Sequence, residues 1–111
     1  MPVPAPTLYP PFNIVRLSHV ELGVRDLAWS RAYYVDTLGL QVTHEEAGVL
    51  YLRAMEERGH HCMILREGAP QVGVLGFKVW DEGDLDRARD WFAGQGLPVD
   101  WVERPFMGRT L

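Results

Sequence analysis

Apolar and polar residues alternate through the first half of the chain in a pattern that predicts one strand, one helix and three further strands. The run 14–24 alternates and is rich in β-branched residues, which favours a strand. Asp26 then offers an N-cap side chain, apolar residues follow at helical spacing as far as Leu38, and Gly39 is typical of a helix exit. Shorter strand-like runs follow at 40–46, 49–54 and 60–66. The predicted order is therefore β-α-β-β-β.

A similar order starts again in the second half of the chain and then stops. The run 72–80 predicts a strand, 84–94 a helix with acidic residues at its start, and 97–103 one more strand. No further strand is predicted before Leu111. We therefore predict an α+β fold over 14–111 made of two modules: a βαβββ module at 14–70 and an incomplete βαβ module at 71–111.

Residues 1–13 form a proline-rich arm ahead of these modules. Proline fixes φ and lacks a backbone N–H, so an extended segment is expected rather than a helix. The arm's apolar side chains, among them Leu8, Tyr9 and Phe12, favour a position on the surface of this chain or of a neighbouring copy. A loose terminus is the equal alternative.

Composition and charge argue against several classes of protein. Hydrophobic residues make up 47% of the chain and charged residues 23%, with a net charge of −4, as in an ordinary globular domain. The acidic balance and the lack of a basic stripe argue against a nucleic-acid partner. No apolar run approaches the length of a bilayer span, and no secretory leader is recognisable. Cys62 is the single cysteine, which fits a reducing cytoplasm.

The helix signature carries a resemblance to a known superfamily. The segments 24–27, 33–34 and 38–40, together with Ser30, resemble the first-helix signature of the vicinal oxygen chelate superfamily, which includes glyoxalases, fosfomycin-resistance proteins and extradiol dioxygenases. The wider pattern is similar to the N-terminal domain of the 3,4-dihydroxyphenylacetate (homoprotocatechuate) 2,3-dioxygenase family. That narrower resemblance is carried by the segments 4–6, 14–16, 51–53, 60–61 and 65–66.

The resemblance implies where the chemistry of such an enzyme lies. Family members are longer two-domain chains whose N-terminal domain is non-catalytic. Their C-terminal domain holds Fe²⁺ or Mn²⁺ through two histidines and one glutamate, a ligand set suited to oxygen activation. The metal chelates both catechol hydroxyls, and the ring opens beside them. The resemblance therefore implies no cofactor in the present chain and a catechol substrate only in the full-length enzyme.

His19 is the weak candidate for a metal ligand in this chain. It falls where the superfamily's first histidine ligand sits, but the matching later positions hold Val74 and Met63, which do not bind such a metal. One imidazole does not hold Fe²⁺ or Mn²⁺. The alternative is a half-buried strand histidine with a hydrogen-bond partner. We therefore predict no catalytic, cofactor-binding or metal site in this chain.

The other side chains with chemical potential favour structural roles. His60 and His61 are adjacent on a predicted strand, so their rings are expected on opposite faces, where they pack. His44 is expected in a solvated turn, with incidental metal binding as the lesser alternative. Cys62 has no recognisable activating neighbour and is expected to be a buried strand thiol. The aromatic residues 29, 33 and 34 are expected in the helix-to-sheet core, although they could line a pocket.

A complete domain of the resembled type has a further strand pair after the last strand counted here. We therefore expect a truncated or frameshifted product, a proteolytic fragment or a deliberately shortened chain. Losing those strands turns an inner strand into an edge, and bare edges favour pairing with other chains. A homo-oligomer or a domain-swapped dimer is the expected partner state.

Three functions remain open at this point. The first is a non-catalytic N-terminal domain or fragment of an extradiol dioxygenase acting on 3,4-dihydroxyphenylacetate in aromatic catabolism, inactive alone. The second is a glyoxalase-type lyase or isomerase with metal at a dimer interface, which needs at least two ligands per chain. The third is a metal-free module that binds a planar small molecule in a dimer groove.

Overall fold

The computed structural model describes residues 2–111, which form seven strands and two α-helices. Met1, the first residue of the predicted arm, lies outside the described residues. The helices are α1 (Leu27–Arg31), continued by a π-helical turn at Ala32–Thr37, and α2 (Glu82–Gly94). The strands are β1 (Ile14–Val24), β2 (Gln41–Glu46), β3 (Val49–Arg53), β4 (Met63–Glu67), β5 (Gln71–Val79), β6 (Val102–Arg104) and β7 (Gly108–Thr110).

Five of the strands form one mixed sheet in the order β2-β3-β4-β1-β5. Strands β1 and β4 pair in parallel, while β3 pairs antiparallel with both β2 and β4. The predicted β-α-β-β-β order of the first module is thereby confirmed. Strands β6 and β7 form a separate antiparallel ribbon.

The C-terminal ribbon corrects the strand boundaries predicted for the second half of the chain. The last predicted strand, at 97–103, is reduced to β6, and β7 was not predicted at all. Strands of three residues are too short to show alternation, which needs about four to eight residues to be recognised. The turn between them places Phe106 at φ 65° and Gly108 at φ 76°, so the chain reverses tightly.

The chain divides into two compact units, each of which is described by itself. One is the segment Leu17–Phe77, and the other combines the residues up to Arg16 with Lys78–Leu111. Within the described residues, no helix is long and apolar enough to cross a bilayer.

In the first unit, the helical segment made of α1 and the π-helical turn begins and ends where the sequence predicts, although its π-helical part was not predicted. The Asp26 side chain accepts a hydrogen bond from the Trp29 backbone N–H at 2.9 Å, so the predicted N-cap is confirmed. The helix then widens into the π-helical turn, in which the Leu38 N–H bonds the Tyr33 carbonyl. Gly39 leaves the turn at φ 81°, a conformation that favours glycine.

The core of this unit has a layer on each side of the sheet. Leu50, Leu52 and Leu65 are fully buried and pack against side chains of α1 and the π-helical turn, including Leu27 and Tyr34. Alternate residues of the same strands point the other way, because side chains along a strand alternate between faces. Val49, Tyr51 and Ile64 form the buried cluster of that opposite face, which we call the helix-free face because the helical residues of this unit pack on the other side.

In the second unit, the end of the arm is fastened to α2. Phe12 packs against the rings of Trp91 and Phe92, with centroids 5.9 and 5.6 Å apart. The Asn13 N–H donates to the fully buried Asp84 carboxylate at 3.2 Å. Farther toward the N-terminus the arm is open to solvent, and Tyr9 is 92% exposed.

Candidate functional site

His19, the weak metal-ligand candidate, lies in β1 with 4% of its surface exposed. Its ring Nδ1 is 3.2 Å from the Ser18 hydroxyl. The neighbouring strand β5 presents Gly76 to this ring. A Cβ at Gly76 would lie only 2.1 Å from the ring's Cε1, so the seat of His19 requires a glycine there.

The fold brings all four histidines of the chain together around Tyr51. The centroid of the His61 ring lies 5.7 Å from that of His19 and 4.9 Å from that of Tyr51. The centroid of the His44 ring lies 5.4 Å from that of Tyr51. We call His19, His44, Tyr51, His60 and His61 the histidine–tyrosine cluster, and it lies on the helix-free face.

The pair His60 and His61 does not have the predicted geometry. Strand β4 begins only at Met63, so both histidines precede it and the alternation of a strand does not apply to them. Their Nδ1 atoms approach to 3.0 Å, and the expectation that the rings lie on opposite faces is wrong. His61 is buried, with 2% of its surface exposed.

His44 lies within strand β2 rather than in a turn. Its side chain is 39% exposed, and its Nε2 is 3.8 Å from the Glu46 carboxylate. The other side of the ring faces Tyr51. The strand predicted at 40–46 is present and extends through His44 as far as Glu46, so the expectation of a solvated turn at the end of that strand is wrong.

Within this cluster, the environment of His60 disfavours its protonated form. Burial is the main cause that lowers the pKa of His60, and the neighbouring His44 and Arg53 charges lower it further. Next to the cluster, Glu21 of β1 accepts a hydrogen bond from the Arg66 side chain at 2.8 Å. That hydrogen bond raises the pKa of Arg66.

The residues of the helix-free face do not fit the metal centre of an oxygen-activating enzyme. Such a centre takes two histidines and one carboxylate. Glu21 lies two residues after His19 on the same face of β1, and its carboxylate forms an ion pair with Arg66. Across the described residues, no group of three or more His, Cys, Asp or Glu side chains is arranged to hold a metal ion.

Cys62, Trp29 and Tyr33 do not lie where they were expected. Cys62 is partly buried and precedes β4, so the expectation of a buried strand thiol is wrong. Its backbone joins β3 to β1: its N–H donates to the Leu52 carbonyl at 2.9 Å, and its carbonyl accepts from the Val20 N–H at 3.0 Å. Trp29 and Tyr33 stack at 5.9 Å on the outside of the helix, and Trp29 is 68% exposed.

The expectation that Trp29 and Tyr33 lie in the core is wrong. Tyr34 does pack against the core leucines, as expected. Trp29 and Tyr33 are four residues apart and share the outer helix face, whereas Leu27 and Tyr34 face the sheet. Two residues were not predicted from the sequence: Tyr51, a member of the cluster, and Gly76, against which the His19 ring lies. A glycine inside the strand pattern of β5 was the available signal of a close approach.

Comparisons with known proteins place these features in a family context. The family model described as the Glyoxalase/Bleomycin resistance protein/Dioxygenase superfamily matches residues 16–105. A metapyrocatechase from Pseudomonas sp. (strain CF600) is 40% identical over 92 residues, which cover 81% of this chain and 30% of that protein. A manganese-dependent 2,3-dihydroxybiphenyl 1,2-dioxygenase from Geobacillus genomosp. 3 is 23% identical over 92 residues, 82% of this chain and 29% of that protein.

A solved structure shares the fold over almost the whole chain. It is the substrate complex of homoprotocatechuate 2,3-dioxygenase from Brevibacterium fuscum with 3,4-dihydroxyphenylacetate. The TM-score is 0.81 at 34% sequence identity, and the match covers 93% of this chain and 34% of that one. The present chain thus spans about a third of the length of the proteins it matches.

Proposed function

This chain belongs to the Glyoxalase/Bleomycin resistance protein/Dioxygenase superfamily, and from that membership we propose its function. It is the N-terminal, non-catalytic domain or fragment of an extradiol ring-cleavage dioxygenase that acts on 3,4-dihydroxyphenylacetate in aromatic catabolism. The resemblance drawn from the first-helix signature is confirmed, and so is the α+β fold class.

One observation carries the proposal: nearly the whole chain aligns with only about a third of each relative. The match takes 93% of this chain but 34% of the Brevibacterium fuscum enzyme. Two further observations support it: among the described residues no group of three or more His, Cys, Asp or Glu side chains is arranged to hold a metal ion, and Glu21, on the same face as His19, is paired with Arg66. Metal binding and catechol chelation therefore belong to the remaining part of such an enzyme, with Fe²⁺ or Mn²⁺ as the metal.

The role left for this chain is structural. The sheet is packed on both sides, with Leu50, Leu52 and Leu65 in one layer and Val49, Tyr51 and Ile64 in the other, which supports this role. Such a domain contributes a scaffold and an assembly surface. We expect a homo-oligomer or a domain-swapped dimer, located in the cytoplasm.

The coding DNA after codon 111 tests this proposal. We expect it to encode, in some reading frame, the closing strands of the second module and then a domain with two histidines and one glutamate in the order His…His…Glu. A downstream sequence without such a domain would contradict the proposal. That DNA sequence would also give the positions of the expected metal-binding histidines and glutamate, so that each can be replaced in the complete enzyme.

A further inference from the structure

The N-terminal arm is an apolar segment that is held at one end and exposed along the rest. Residues 2–11 are all exposed, and Val3 and Tyr9 each keep more than nine-tenths of their surface open to solvent. This stretch holds five of the eight prolines of the chain and no charged residue. Its C-terminal end is fixed to α2 by the packing of Phe12.

The alternating prolines Pro2, Pro4 and Pro6 give the arm a preferred conformation. Proline fixes its own φ and keeps the preceding residue out of the helical region, so this series favours a polyproline II helix. That helix rises about 3.1 Å per residue, so residues 2–12 span about 31 Å. Such a length is about the diameter of a small domain, which lets the arm reach a neighbouring molecule.

Trp29 and Tyr33 form an exposed aromatic pair on the outer face of the helix. Their rings are nearly parallel, at an interplanar angle of 7°, and the side chains are 68% and 42% exposed. Both residues belong to the first module, which is complete in the described structure, whereas the strands expected after Leu111 belong to the second. A contiguous exposed apolar surface of this kind is typical of an interaction site.

The arm and the aromatic pair complement each other chemically. Proline-rich segments in the polyproline II conformation dock against Trp and Tyr rings and, being stiff already, lose little conformational entropy. Prolines two residues apart are separated by about 6.2 Å along the axis of that helix, close to the 5.9 Å between the two ring centroids. Both surfaces are exposed in the same chain, so a second copy supplies an occupant for each of them.

We propose that residues 2–11 of one copy dock on the Trp29–Tyr33 pair of a second copy, and that two copies exchange their arms about a two-fold axis. Because the arm carries no charge, the association should change little when sodium chloride is added. This inference rests on the proposed function in that it specifies the self-association expected there. It depends only on the arm and the aromatic pair, so it can fail while the enzyme assignment stands.

The first test measures the molecular mass of the complete 111-residue chain by light scattering at micromolar concentration. We expect a dimer for the wild-type chain and at least about tenfold weaker dimerisation for Trp29→Ala, as for the loss of a central aromatic anchor. Tyr33→Phe keeps the ring and should dimerise nearly as well as the wild-type chain. Trp80→Ala is the matched control, because Trp80 is 73% exposed but lies outside the pair. Circular dichroism checks that each variant is folded.

The second test adds a free peptide with the sequence of residues 2–11 to the wild-type chain. In excess it should compete with the arm and convert dimers into monomers. The control peptide has all five prolines replaced by alanine, so it lacks the preformed polyproline II helix and should compete much less well.

Four results would overturn the inference: a monomeric wild-type chain, a Trp29→Ala variant that dimerises as tightly as the wild-type chain, a Trp80→Ala variant that loses dimerisation to the same extent, or peptides that compete equally well with and without proline. A catalytic domain encoded after codon 111 would leave the proposed function intact in each case. Conversely, arm-dependent dimers without such a domain would support the arm exchange and contradict the enzyme assignment.

Discussion

Replacing Gly76 with alanine tests the packing of the candidate site directly. An alanine Cβ would lie 2.1 Å from Cε1, 2.3 Å from Nδ1 and 2.8 Å from Nε2 of the His19 ring. Contacts below 3.0 Å are essentially never made by real Cβ atoms, so the ring or the strand must shift. Because His19 is only 4% exposed, any shift of the ring has to displace its packed neighbours.

The expected cost follows from two opposing effects. Overpacking of a buried site costs about 1–3 kcal/mol. Alanine in place of glycine restores about 0.4–1 kcal/mol by restricting the unfolded chain. The clash wins, so we expect Gly76→Ala to lower the free energy of unfolding by about 1–2 kcal/mol. Urea denaturation followed by tryptophan fluorescence measures this change.

A matched control and a double variant make the measurement decisive. Gly94→Ala in α2 meets no atom within 4 Å and should stabilise the chain by up to about 1 kcal/mol. In a His19→Ala background the loss caused by Gly76→Ala should shrink, because the obstructing ring is gone. An unchanged free energy of unfolding for Gly76→Ala, or an equal loss in both backgrounds, would refute the reasoning.

Three further predictions concern the core and the titrating groups. Leu52→Ala should cost about 2–5 kcal/mol in the same urea assay, since Leu52 is fully buried, whereas Leu38→Ala should change stability by less than about 0.5 kcal/mol. Burial favours the neutral form of Asp84, but hydrogen bonds from Arg87 and the Asn13 N–H outweigh it and hold the pKa of Asp84 below its ordinary 3.8. The ionised Asp84 therefore stabilises the folded chain fully above pH 3.8, and this stabilisation is lost as the pH falls through the folded pKa. Asp84→Asn should therefore weaken the acid sensitivity of unfolding. Burial, followed by the charges of His44 and Arg53, lowers the pKa of His60 below 6.5. The free energy of unfolding should therefore fall as the pH drops from 6.5 towards the pKa of His60 in the folded chain. In urea titrations at several pH values, His60→Gln should flatten this slope.

The first module could be predicted because its signals are local. The Asp26 cap and the Gly39 exit are each recognisable within a few residues, and both have the expected geometry in the structure. The C-terminal ribbon could not be predicted, because its strands are three residues long and show no period.

The histidine–tyrosine cluster could not be predicted for a different reason. Its members come from separate segments, and only the pairing of β1, β2, β3 and β4 in one sheet brings them together. The pair His60 and His61 was misjudged because the start of β4 was placed three residues too early. Strand boundaries decide which face a side chain occupies, so an error of that size changes the predicted partners of both rings.

The most direct test of the central claim is an activity assay on the purified 111-residue chain, supplied with Fe²⁺ or Mn²⁺ and 3,4-dihydroxyphenylacetate in air. Metal retained after gel filtration is measured by elemental analysis of the same sample. We expect the chain to retain no stoichiometric metal and to form no yellow ring-opened product. Retained iron or manganese together with formation of that product would show that this chain contains a working site, and would contradict the account.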